Sequence, residues 1–184
     1  METPGRVLIE KERFELTIER LAHQLIEEFG DFSQTCVIGI QPRGTILSDV
    51  LIKRLKDLTG NSSIAYGLLD ITFYRDDFRT RSKPLSASET KIDFLVEGKR
   101  VVLIDDVLYT GRTIQAALAA LQHYGRAESI ELLALIDRRF NRHLPIHPDF
   151  TGLRVDALDD AYVKVNWTDN NQPDQVLIFG GKEH

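Results

Sequence analysis

The sequence predicts an α/β fold built on a mainly parallel sheet with crossover helices. Three observations carry this expectation. Val101–Ile104 is a continuous run of β-branched residues and Leu, the pattern of a strand buried on both faces, as in a parallel sheet covered by helices. That run ends in two adjacent acids, Asp105 and Asp106, and is followed by Thr110-Gly111-Arg112-Thr113. Then Ile114, Ala117, Leu118 and Leu121 fall at i, i+3, i+4 and i+7, one face of a helix that Gly125 is placed to end. The same strand–turn–helix order recurs upstream, where Cys36–Ile40 leads through Gln41-Pro42-Arg43-Gly44 into a helix with Leu47, Val50, Leu51 and Leu55 inward.

The remaining elements follow in chain order. Phe14, Ile18, Leu21 and Leu25 make a helical stripe, with Ala22 and Phe29 beside it and Glu15, Glu19, Arg20, His23, Glu27 and Glu28 on the other face. Gly30-Asp31 breaks the chain before the first core strand. Ser63–Tyr74 reads as a long strand with Ile64, Tyr66, Leu68, Ile71 and Phe73 as apolar members, interrupted by Asp70. Arg75–Pro84 is charged and loop-like, and its four cations suit either a flap over an anionic substrate or a solvated hairpin tip. Ile130–Ile136 is a further buried strand, ending in Asp137-Arg138-Arg139. Leu144–Asp160, with Pro145 and Pro148, reads as irregular, and Ala161–Trp167 and Gln175–Phe179 read as strands joined by a turn.

Composition bounds the rest. With 184 residues, 42% of them hydrophobic, the chain is most simply one globular domain. No apolar run has the length of a membrane span and no secretory segment opens the chain, so a cytoplasmic protein with no membrane role is expected. The single cysteine, Cys36, lies in an apolar run and reads as a core thiol. The charge balance, 28 acidic against 23 basic residues, argues against a dedicated nucleic-acid binder.

The chemistry concentrates at the acidic corner. Adjacent carboxylates repel and resist desolvation, so a buried strand does not end in them for stability. A helix N-terminus after a Thr/Gly turn offers free N–H groups and hydroxyls to an anion. Two acids a few residues upstream can accept hydrogen bonds from vicinal hydroxyls. Phosphate plus diol describes a ribose 5-phosphate; the plain alternative is an ordinary N-cap. Arg43 before Gly44 makes a second anion-holding turn. No Gly-x-x-x-x-Gly-Lys occurs, which makes an ATPase reading poor.

The string VVLIDDVLYTGRT resembles the PRPP-binding motif of the type I phosphoribosyltransferases. With ITFYRDD upstream and LPI downstream, it resembles one subfamily, PyrR, the bifunctional pyrimidine operon attenuators and uracil phosphoribosyltransferases. The resemblance runs from Phe14 to Phe179. It implies a type I phosphoribosyltransferase fold over residues 1–184, with a flexible loop at 74–90 and a small hood mainly at 139–160. The implied reaction converts uracil and PRPP to UMP and pyrophosphate, with Mg²⁺ carried on PRPP and no protein metal cluster.

The resemblance also assigns roles. Asp105 and Asp106 would hold the ribose diol, with Asp106 also near the base as a proton acceptor. Thr110, Gly111, Arg112 and Thr113 would cradle the 5-phosphate, with Val107, Leu108 and Tyr109 counted among the PRPP- and nucleotide-binding positions. Pro42 and Arg43 would hold pyrophosphate, and Arg43, Arg79 and Lys83 would stabilise it as it leaves, Arg79 being counted as catalytic. Val163 would meet the base through its backbone. The family's Asp-Arg-Gly arginine is Arg138 by strand register or Arg139 by counting back from Leu144, because one extra residue precedes Leu144.

Two departures stand out. Pro42 replaces a usual Thr and removes an N–H and a hydroxyl, although this family often has a cis peptide here and an X–Pro bond lowers its cost. Lys83 replaces a usual Arg and loses bidentate phosphate geometry. Other readings stay open: a purine phosphoribosyltransferase, a UMP-dependent RNA-binding regulator, or a catalytically dead PRPP sensor. Against RNA, the positions matching the family's basic RNA face hold Glu19, Glu28, His147 and Leu153, while Arg20, His23 and Arg142 remain. The family implies a homodimer or tetramer.

Overall fold

The computed structural model describes residues 5–75, 88–157, 161–168 and 174–180. Its elements run β1 (Arg6–Ile9), α1 (Lys11–Phe29), β2 (Thr35–Ile40), α2 (Gly44–Thr59), β3 (Ala65–Leu69), β4 (Arg100–Leu108), α3 (Arg112–Leu121), β5 (Ser129–Arg138), β6 (Phe150–Val155), β7 (Tyr162–Asn166) and β8 (Gln175–Phe179). The larger sheet is ordered β3-β2-β4-β5-β6 and all its pairings are parallel. A smaller antiparallel sheet is ordered β1-β8-β7.

Period-two alternation in the central strands builds two cores. Val37, Val102, Ile104, Leu133 and Leu135 join the stripes of α1 and α2 in one cluster. Cys36, Ile38, Ile40, Val101, Leu103, Leu132 and Ala134 join Ile114, Ala117 and Leu121 of α3 in the other. Strands covered on both faces are the reason these runs read as continuously apolar. The smaller sheet adds Ile9, Val163 and Val176 to the first core. Phe14 meets Trp167 edge-on there, with ring centroids 5.2 Å apart. No helix among the described residues is long and apolar enough to cross a membrane.

Several expectations need correction. β1 was not anticipated. The stretch read as irregular after Leu144 contains β6, the edge strand of the larger sheet, parallel to β5. Arg20 donates to the Thr151 and Gly152 carbonyls at 3.2 and 2.6 Å, so α1 covers part of that edge. Val50 is 39% exposed, and the buried face of α2 is completed by Ser48 and Ile52 instead. The run 63–74 is not one strand. After β3, Asp70 Oδ1 accepts from the Thr72 N–H and hydroxyl at 3.1 and 2.6 Å, turning the chain into a 3-10 turn at Thr72–Tyr74 that leaves Phe73 exposed. A second such turn, Gln122–Tyr124, separates α3 from Gly125.

Candidate active site

The crevice lies where the chain diverges. After β2 the chain crosses through α2 to β3 on one side of the sheet. After β4 it crosses through α3 to β5 on the other. The carboxyl ends of β2 and β4 therefore open a gap at the switch point, where open α/β sheets take ligands. The loop after β2 carries a cis Gln41–Pro42 peptide and Arg43, and Thr45 donates its hydroxyl to the Pro42 carbonyl at 2.7 Å. Gly44 opens α2 so close to β4 that a Cβ there would sit 2.4 Å from the Ile104 carbonyl oxygen. Only glycine lets the start of α2 approach β4 this closely.

β4 continues past the apolar run to Leu108, so both acids lie within the strand. Asp105 and Asp106 are 5% and 7% exposed. Asp105 Oδ1 accepts from the Asp106 N–H at 2.9 Å, and Asp106 Oδ1 from the Val107 N–H at 2.7 Å. Each carboxylate thus spends one oxygen on the main chain, and the two side chains also engage each other. Burial, then the neighbouring Asp106 charge, pushes the Asp105 carboxyl up to about 8. Burial also raises Asp106, with Arg43 the largest opposing influence. Arg43 is the nearby positive charge acting on both acids.

Past the acids, Tyr109–Thr113 wraps a cavity of about 360 Å³ at the start of α3, with Arg75 on its rim. Gly111 has φ 92° and caps the helix, a conformation that favours glycine. The loop is braced from outside. The His143 and Leu144 N–H groups donate to the Thr110 carbonyl at 3.0 and 3.3 Å.

A contiguous cavity of about 670 Å³ brings Pro42, Arg43, Asp105, Asp106, Arg138 and Val163 together. Arg138 is buried, its guanidinium carbon 3.8 Å from the centroid of the Tyr109 ring. Arg139 points elsewhere. It pairs through two bonds, 2.6 and 2.5 Å, with Asp156, and shares a separate recess with Arg142 and His147. Of the two arginines that the sequence left open, Arg138 faces the cavity. Arg79 and Lys83 lie outside the described residues. Sequence reasoning missed Arg75, Gln41, Asp70, Ser88 and Tyr162 as lining residues. Arg75 was within reach of it, since it opens the cationic stretch.

The family model described as "Phosphoribosyl transferase domain" matches residues 8–169. "Bifunctional protein PyrR" of Gloeothece citriformis is 44% identical over 172 residues, spanning 94% of this chain and 96% of the relative. The protein of the same name from Haemophilus ducreyi is 40% identical over 174 residues, spanning 95% and 96%. Among solved structures, a hypoxanthine-guanine phosphoribosyltransferase from Bacillus anthracis superposes with a TM-score of 0.70 at 16% identity, covering 96% of this chain and 99% of that one. A hypoxanthine phosphoribosyltransferase from Staphylococcus aureus gives 0.67 at 20% identity, covering 96% and 92%. Likeness at those identities shows the fold, a type I phosphoribosyltransferase fold, and says nothing of the base. The matched domain and the near-complete overlap at 40–44% identity are decisive together: the chain belongs to the phosphoribosyltransferase family, in its PyrR branch.

Proposed function

We propose that the protein is a uracil phosphoribosyltransferase, converting uracil and PRPP to UMP and pyrophosphate in the cytoplasm. The observation that carries this reading is one crevice in which a buried acid pair adjoins a helix N-terminus. The N–H groups and hydroxyls of Thr110–Thr113 take the 5-phosphate, and Asp105 and Asp106 accept the ribose hydroxyls. Uracil N1 attacks C1′ of the ribose while the C1′–O bond breaks, and pyrophosphate leaves with the bonding electrons. Positive charge builds on the ribose ring, beside the Asp pair. Negative charge builds on the leaving group, beside Arg43, Arg79 and Lys83. Asp106 receives the N1 proton, a task suited to a carboxylate whose basicity burial has raised.

Mg²⁺ enters as part of the substrate, bound to PRPP, and neutralises the diphosphate. The unbalanced carboxylates fit the arrival of such a cation. The base sits against Val163 of the smaller sheet and Arg138 at the end of β5, with the segment after β5 acting as the hood. A main-chain N–H and C=O can match the O4/N3 edge of a pyrimidine without ionisable side chains. The assembly is a homodimer or tetramer.

The test is a panel of uracil, orotate, hypoxanthine and guanine, each with PRPP and Mg²⁺. Uracil is expected to win. Equal or better turnover of hypoxanthine would overturn the assignment in favour of a purine enzyme.

The relatives' name, with its word bifunctional, supports a second reading as a UMP-dependent RNA-binding regulator of pyrimidine biosynthesis genes. The charges weigh against it. Glu19 engages Arg54 at 3.2 Å, Glu28 engages Arg100 at 2.6 Å, and Arg20 is spent on β6 carbonyls.

A further inference from the structure

We propose that His143 is a positioning residue for the phosphate-binding loop, fixing the Arg112 guanidinium for a 5-phosphate. The inference rests on the reading of Thr110–Thr113 as the 5-phosphate cradle. His143 Nδ1 accepts a hydrogen bond from Arg112 Nε at 3.3 Å, across 31 positions of sequence. Accepting at Nδ1 places the imidazole proton on Nε2. Arg112 lines the 360 Å³ cavity at the first residue of α3, while His143 stands outside that cavity.

Two layers of support are therefore stacked on one loop. The main chain of residues 143 and 144 occupies the Thr110 carbonyl, a group that would repel phosphate if it turned inward. Leu144 closes on Gly111, where a Cβ would lie 3.3 Å from its own Cβ. The His143 side chain then adds the restraint on Arg112. A long guanidinium side chain loses rotamer freedom when it clamps an anion, and an acceptor already on Nε removes part of that cost before the ligand arrives. Substitution at 143 leaves both main-chain donors in place, so the side-chain layer can be tested alone.

The experiment is calorimetric titration of the full chain with ribose 5-phosphate and with unphosphorylated ribose, on wild type, His143→Ala and His143→Asn, beside steady-state kinetics with PRPP. Asn offers Oδ1 close to the place of Nδ1. His143→Ala is expected to weaken ribose 5-phosphate about five- to tenfold, the fold-change of a hydrogen bond worth about 1 kcal/mol. The loss should appear in the PRPP KM more than in kcat, the melting temperature should hold, and His143→Asn should recover most of the affinity. Ribose affinity should be the same in all three proteins. If wild type binds ribose 5-phosphate no better than ribose, the cradle reading itself falls. If wild type shows the preference and His143→Ala matches it, or if Asn recovers nothing, the role of His143 is refuted while the cradle stands.

Discussion

Asp105→Asn is expected to make the protein more stable at neutral and alkaline pH while removing activity. The Asp105 carboxyl ionises at an ordinary value of 3.8 in a free chain and at about 8 in the fold. Below about pH 4 both states carry the proton and the contribution to stability is full. Between about 4 and 8 the folded protein keeps a proton that the unfolded chain has released, so stability falls as pH rises, and it is lost once pH passes about 8. At about 1.4 kcal/mol per pH unit, the three units from pH 5 to 8 amount to an upper bound of about 4 kcal/mol. Asn keeps an Oδ1 to accept from the Asp106 N–H but carries no charge. Its melting temperature should therefore exceed that of wild type by a margin that widens from pH 5 to pH 8, reaching at most about 10 °C for a domain of this size. The assay is thermal unfolding at pH 5, 6.5 and 8, at matched ionic strength and without PRPP or Mg²⁺. Parallel pH profiles for the two proteins would refute the claim that this carboxyl is buried against its own charge. Full UMP synthesis by both Asp105→Asn and Asp106→Asn would separately refute the ribose-diol assignment.

Arg79→Ala is expected to lower kcat more than it weakens UMP binding, because pyrophosphate is absent from the UMP complex; an equal collapse of UMP affinity would move Arg79 to the nucleotide side. Gly44→Ala should cost about 1–3 kcal/mol in urea unfolding, since its Cβ would press on the Ile104 carbonyl and push the Arg43 turn from the acids. An unchanged denaturation midpoint would show that this approach is looser than described. Labelled pyrimidine leader RNA at physiological salt should bind weakly with or without UMP, because Arg20 of α1 is engaged within the fold and acids flank it. Tight, UMP-enhanced binding would restore the bifunctional reading.

The central unit was legible because its physics is local. A double-sided apolar strand, two acids, a glycine turn and an amphipathic helix each leave a mark within about twenty residues. The α1 stripe was legible for the same reason. β6 was not, since its alternation is confined to Leu153, Arg154 and Val155 and only Val155 of its six residues is buried. Its place is set by β5, whose Leu135 carbonyl comes within 2.4 Å of where a Cβ of residue 152 would stand. Val50 misled because helical spacing alone cannot say where the sheet lies around the helix; Ile52 faces it instead. The choice between Arg138 and Arg139 turned on parity. Neighbouring residues at a strand end point to opposite sides, and only the register of β5 against β4, with Leu108 opposite Asp137, decides which enters the crevice.

A site of this kind has to be forced on the fold. Nothing local favours two carboxylates inside a strand, and both are less acidic in place than in water. β4 supplies the force. Val102 and Ile104 are anchored in one core, Val101 and Leu103 in the other, and parallel partners flank it on both sides. A strand held on four sides does not unwind at its end to relieve a charge repulsion of a few kcal/mol, because unwinding would expose buried side chains worth about 1.5–3 kcal/mol each. The strain is therefore concentrated at the acid pair in the crevice. A substrate that brings hydroxyl donors and a divalent cation relieves it on binding, and a ligand of the folded state alone stabilises the protein by mass action. Mg²⁺ with PRPP should then raise the melting temperature of wild type more than that of Asp105→Asn, since a ligand cation that lets Asp105 ionise in the fold removes a penalty that the Asn variant never carried. An equal rise in both proteins would mean that the ligand leaves the acid pair untouched.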